Sequence, residues 1–151
     1  MIVLDASVWV SWFLPNDTNH AATVPWMRAT LIAATPIVLP SLCPVEVGGA
    51  LARRADDVLA RHAVQLILGY PALRIVSVDD TVMHAATDIA IAVRLRGADA
   101  VYVAVAEALR LPLISWDMEH TTRAISRIPV FTPDGAPLPA PPADDEEAGQ
   151  P

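Results

Sequence analysis

The sequence has no lysine and one cysteine among its 151 residues. A lone thiol cannot form an internal disulfide, so a disulfide-stapled fold is excluded, and the apolar setting Leu42-Cys43-Pro44 reads as a small core residue and not as a nucleophile. The exclusive use of arginine for all ten basic positions is a compositional bias without functional weight. Long apolar runs are also missing. Although 54% of the residues are hydrophobic, Asp, Arg or Pro interrupts every run before it reaches the length of a membrane span, and no membrane association is expected. There is no glycine-rich loop of the P-loop or dinucleotide type, which argues against a nucleotide-binding module. The opening Met1-Ile2-Val3-Leu4-Asp5 has neither a basic segment before its apolar residues nor a small-residue cleavage site after them. It does not read as a secretory signal, and a cytoplasmic location is expected.

A net charge of −7 argues at first against a nucleic-acid partner, because phosphate binding calls for a basic face. The distribution of charge reverses that argument. Asp134, Asp144, Asp145, Glu146 and Glu147 lie near the C-terminus, and four further acids, discussed below, are candidate metal ligands. The rest of the chain then holds eight acids against ten arginines, a mildly basic surface once a metal neutralises its ligands.

The length suits one domain with a sizeable core. Residues 133–151 are rich in Pro, Ala, Asp and Glu with one large aliphatic residue, Leu138, and are expected to form a disordered tail after a domain spanning 1–132. Within that domain short apolar runs alternate with helical spacing. Strands are expected at Ile2–Asp5, Ile37–Leu39, Arg74–Val78, Leu113–Ser115 and Val130–Phe131. Helices are expected near Ser7–Leu14, His20–Ala34, Val45–Ala55, Asp57–Leu68, Thr81–Arg96, Ala100–Leu109 and Glu119–Ser126. This alternation implies an α/β fold with a parallel sheet covered on both faces. Such sheets bind ligands at the carboxyl ends of their strands, where the strand order reverses. Asp5 ends the first strand, and Ser115 and Asp117 end the fourth.

Each candidate acid also has an ordinary structural reading. Asp5, between a buried strand and a helix, could be a helix cap, and Ser7 shares that ambiguity. Glu46, in Val45-Glu46-Val47-Gly48-Gly49, could be a first-turn acid favoured by the helix dipole. Asp99 precedes a helix that is apolar nearly all round, Ala100-Val101-Tyr102-Val103-Ala104-Val105-Ala106, so its carboxylate needs a partner; an N-cap role is the alternative. Asp117 could be a turn or cap residue before the last helix. Joint placement at strand ends and helix starts favours a shared site. Four carboxylates without a nearby cysteine or a regular histidine spacing suit Mg²⁺ or Mn²⁺ better than zinc, and such ions serve phosphoryl chemistry.

The ordered segments Val3-Leu4-Asp5-Ala6-Ser7, Leu39-Pro40-Ser41-Leu42-Cys43-Pro44-Val45-Glu46-Val47, Gly97-Ala98-Asp99-Ala100-Val101-Tyr102 and Leu113-Ile114-Ser115-Trp116-Asp117 resemble the four motifs of the PIN-domain family, in particular its VapC toxins. The resemblance runs from Met1 to about Thr132. It implies a three-layer fold with about five parallel strands, one or two Mg²⁺ or Mn²⁺ ions, RNA hydrolysis, a homodimer, and inhibition by a cognate antitoxin. It also implies Asp5, Glu46 and Asp99 as primary ligands, Asp117 as an outer or second-metal ligand, and Ser7 and Ser115 as supporting hydrogen-bond donors.

Three other functions compete. Haloacid-dehalogenase-like phosphatases also open with a strand ending in Asp, but they need a second Asp two residues later, where this chain has Ser7. A housekeeping PIN nuclease, or a PIN module that binds RNA or protein without cutting, keeps the same acids. Arg53, Arg54 and Arg61 are candidate RNA contacts, with a solvated helix face as the alternative. His20, His62, His84 and His120 share no spacing and are expected at the surface or at helix ends. Trp9, Trp12, Trp26 and Trp116 are expected as core or dimer-interface anchors.

Overall fold

The computed structural model describes residues 1–138. Five strands, β1 (Ile2–Leu4), β2 (Ile37–Pro40), β3 (Leu73–Val76), β4 (Leu113–Ile114) and β5 (Val130–Phe131), form one parallel sheet in the order β3-β2-β1-β4-β5. The described residues also form α1 (Ala6–Phe13), α2 (His20–Ile32), α3 (Cys43–Arg54), α4 (Asp57–Leu68), α5 (Asp80–Val93), α6 (Gly97–Leu109) and α7 (Met118–Arg123). The expected α/β alternation is therefore observed.

Successive residues of a strand point to opposite faces. All four residues of β2 are buried, as are Val3 and Leu4 of β1, so helices cover both faces of the sheet centre. The edge strand β3 leaves Arg74 and Ile75 exposed. Helix α6 is buried without a break from Ala100 to Ala106, as expected for an apolar helix packed against the middle of the sheet. Aspartates cap α4 and α5: Asp56 accepts from the Leu59 N–H at 2.8 Å and Asp79 from the Val82 N–H at 3.0 Å.

At the C-terminal end the last expected helix shortens. Helix α7 stops at Arg123, and Ala124–Ser126 tighten into a 3-10 turn. Beyond β5, residues 133–138 turn back at Thr132, whose carbonyl accepts from the N–H groups of Gly135 and Ala136. Ala136 packs against the core. The remainder of the expected tail, 139–151, lies outside the described residues.

The sheet order puts β1 at the centre, flanked by β2 and β4. The chain's progression across the sheet reverses here, and the carboxyl ends of β1 and β4 lie side by side.

Candidate metal centre

Asp5 follows β1 directly and is 5% exposed. Its Oδ2 accepts three hydrogen bonds, from the Ser7 N–H (3.1 Å), the Ser7 hydroxyl, and the Ser115 hydroxyl (3.0 Å). Asp5 thus caps α1 and is also fixed from β4. The Ser7 hydroxyl accepts from the Trp116 N–H at 3.0 Å, and the Ser115 hydroxyl accepts from the Asp117 N–H at 2.9 Å. Both serines expected to support the site therefore do join the ends of β1 and β4.

Asp117 caps α7, its Oδ1 accepting from the Glu119 N–H at 2.6 Å. Glu46 stands in the first turn of α3 and is bound from the opposite side: the Tyr102 hydroxyl of α6 donates to Oε2 at 2.6 Å. Asp99 is not an N-cap. It is the third residue of α6, whose cap position is Arg96, and its Oδ2 is buried without a hydrogen-bond partner. A buried carboxylate oxygen without a partner costs about 1–3 kcal/mol or more, so its retention points to a partner from outside the chain.

These four acids line one open cavity of about 450 Å³. Burial pushes the Glu46 carboxyl above its ordinary range, helped by the charges of Asp5 and Asp99 and opposed by the Tyr102 hydrogen bond. Burial likewise raises the Asp99 carboxyl, with Asp117 and Asp5 adding to the effect and His120 and Arg96 opposing it. Among the described residues, no three His, Cys, Asp or Glu side chains are gathered closely enough to enclose an ion. The donor set nevertheless fits a hard divalent cation, because its atoms are carboxylate oxygens, one is unpartnered, and their mutual repulsion is what such a cation relieves.

Other expected residues divide. Arg53 and Arg54 line the cavity rim, where Arg54 Nη2 pairs with Asp17 Oδ2 at 2.7 Å. Arg61 is not brought there; it borders an apolar groove between α3 and α4 and faces Asp57 across one helical turn at 3.8 Å. Trp9 and Trp26 lie in the core, whereas Trp116 lines the acidic cavity with its indole N–H donating to Thr23 Oγ1 at 2.8 Å. Three histidines are exposed or partly exposed, but His120 is completely buried, contrary to expectation. Its partners are a strand-end serine and a helix carbonyl, so neither its own helix nor any local periodicity announces its burial. Tyr102 and Asp17 were the other contributors missed. Only the apolar run around Tyr102 hinted that its hydroxyl would need a partner.

The PIN domain family model matches residues 2–124, a span that includes all four acids. No curated protein sequence matches the chain. Among solved structures, the fold is similar to that of Mycobacterium tuberculosis VapC20, a sarcin-ricin loop cleaving toxin, with a TM-score of 0.70 and 17% identity over 80% of this chain and 93% of that one. It is also similar to FitAB bound to a DNA fragment, with a TM-score of 0.71 and 21% identity over 91% and 98% of the two chains. Rickettsia felis VapBC2, bound to a promoter DNA fragment, gives 0.64 and 12% over 87% and 98%. At these identities the likeness is one of fold. The parallel sheet with acids gathered at its switch point and the match along most of the sequence agree, and the chain belongs to the PIN domain family.

Proposed function

We propose that the protein is a Mg²⁺- or Mn²⁺-dependent ribonuclease, the toxin of a toxin–antitoxin pair acting in the cytoplasm. The observation that carries this reading is the buried, unpartnered Asp99 Oδ2 in a cavity that the carboxylates of Asp5, Glu46 and Asp117 also line. Asp5, Glu46 and Asp99 would hold the ion, with Asp117 as an outer or second-metal ligand. Bound there, a divalent ion lowers the pKa of water and offsets charge on the scissile phosphate.

The chain's own residues supply positioning. The Ser7 and Ser115 hydroxyls converge on Oδ2 of Asp5, which leaves Oδ1 to coordinate. Tyr102 holds one oxygen of Glu46 in the same way. Its phenol is pushed far upward by burial and stays protonated, so it remains a donor at every working pH. Arg53 and Arg54 at the rim would meet backbone phosphates, Arg53 with its full charge and Arg54 with part of its charge committed to Asp17.

The structural relatives include toxin–antitoxin complexes, among them one from Klebsiella pneumoniae, which supports a cognate antitoxin as partner. Apolar grooves between α3 and α4 and beside α5 and α6 offer surfaces for that partner and for a second copy of the chain in a homodimer. The test is incubation of purified protein with total RNA in Mg²⁺, Mn²⁺ or chelator, followed by mapping of the ends. Metal-dependent cleavage, with growth arrest relieved by co-expression of a neighbouring small gene, is the expected result.

A second reading is a PIN module that binds RNA or protein without cutting. It is favoured by the absence, among the described residues, of three ligands already gathered around one point. RNA retention without new ends in any metal would establish it.

A further inference from the structure

His120 is fully buried, and both ring nitrogens are engaged. Nε2 lies 3.0 Å from the backbone carbonyl of Asp99, and Nδ1 lies 2.8 Å from the Ser115 hydroxyl. A carbonyl only accepts, so the hydrogen in the first contact belongs to Nε2, and the single hydroxyl hydrogen of Ser115 is shared between Nδ1 and Asp5 Oδ2 as a three-centre bond. The ring thus bridges two parts of the site that are remote in sequence. On one side is the first turn of α6, which carries Asp99. On the other is the end of β4, where Ser115 binds Asp5 Oδ2 at 3.0 Å and receives the Asp117 N–H. The ring also meets the edge of Tyr102, the donor to Glu46, with centroids 6.1 Å apart at 67°.

The need for such a bridge follows from the two supports it joins. Helix α6 begins at Gly97 without a side-chain cap, since Arg96 makes no capping bond. Asp99 is therefore attached to a helix end that its own capping residue does not fix. β4 contributes only Leu113 and Ile114 to the sheet, and its last tie to β5 is the Ser115 N–H, which donates to the Phe131 carbonyl at 3.0 Å; no sheet bond reaches from there to α6. Neither support fixes the distance between the two segments, and ligand geometry tolerates an error of only about 0.5 Å.

We propose that His120 is a positioning residue that sets the separation of Asp5 and Asp99 by bracing the start of α6 against the end of β4. The proposal rests on the metal-centre reading above. His120 touches neither metal nor RNA in this role; it acts through Ser115 and through the Asp99 backbone. Partners that orient metal ligands in this way typically control affinity or activity by about 10–100-fold.

The test compares wild type with His120→Phe, which keeps a ring but loses both polar contacts, and with His120→Gln and His120→Asn, which can each restore one. Mn²⁺ affinity is read from the free-ion electron paramagnetic resonance signal, kcat and KM from RNA cleavage, and folding from thermal melts without metal. His120→Phe should weaken Mn²⁺ binding by about 10-fold or more and lower kcat with little change in KM, also at temperatures where it is fully folded. At least one of the amide variants should recover part of the affinity. If His120→Phe does not fold, the amide variants decide: weakened Mn²⁺ binding in a folded variant supports the brace, and wild-type affinity in both overturns it. A folded His120→Phe that melts lower but binds Mn²⁺ like wild type reduces His120 to an ordinary core residue and overturns the proposal alone. Wild-type protein that binds no Mn²⁺ overturns the metal-centre reading, and the brace with it.

Discussion

The Tyr102 hydroxyl donates to Glu46 Oε2 at 2.6 Å, joining residues 56 positions apart on two helices. Hydrogen bonds to a charged acceptor contribute about 1.5–3 kcal/mol, and Tyr102 is 1% exposed, so water cannot readily replace it. Tyr102→Phe should lower the unfolding free energy by about that amount in urea titrations. It should also free the Glu46 side chain to rotate and reduce cleavage through kcat, while RNA binding changes little.

Asp99→Asn should separate stability from activity. Without metal, removing one charge relieves repulsion from Asp117 and Asp5, so the variant should melt no lower than wild type and, by this argument, higher. Added Mn²⁺ should raise the melting temperature of wild type and have much less effect on the variant. Cleavage should fall by orders of magnitude. An unchanged metal response would remove Asp99 from the site.

Asp17 governs an acid-sensitive contact at the cavity rim. Burial alone would push its carboxyl up, but the Arg54 hydrogen bond, the Asn19 N–H and the Arg54 charge together bring it below the ordinary range. A depressed folded value means that the stabilisation is fully present above the unfolded value at about pH 4 and is lost as the pH falls through the folded one. Arg54 is about half exposed, so the gain stays within about 1 kcal/mol. Melting curves of wild type and Asp17→Asn should therefore differ modestly at pH 7 and converge in acid. The same variant releases Arg54 and should lower KM for RNA.

Truncation should show that residues just after Thr132 add to the stability of the domain. Ala136 and Pro137 border a cavity with Ile2, Trp26 and Phe131. A chain ending at Thr132 loses these contacts and should melt a few degrees lower than one ending at Leu138.

What could be read from the residues follows from how far each interaction reaches. The strands at Ile2 and Ile37 and the buried helix after Asp99 have local patterns, and their limits were readable to within a few residues. The acids at strand ends were legible for the same reason, since a parallel sheet fixes where its carboxyl ends converge. Arg61 had the right chemistry, but helix α4 turns it toward a different groove. His120 sits in the polar stretch Glu119-His120-Thr121 of a six-residue helix, too short for an apolar face to be seen. Its burial depends on Ser115 and on Asp99, 21 residues away.

The bond from Ser115 to Asp5 closes a separation of 110 residues, and β4 must be synthesised before the central strand β1 acquires its second neighbour. At ribosomal rates of about 5–20 residues per second, the opening strand waits several seconds for that neighbour. Half of the acidic cavity is absent throughout this interval. A nascent chain therefore carries Asp5 and Glu46 past the exit tunnel without the parts that align them, and the candidate metal centre is completed only once Asp99, Ser115 and Asp117 have followed.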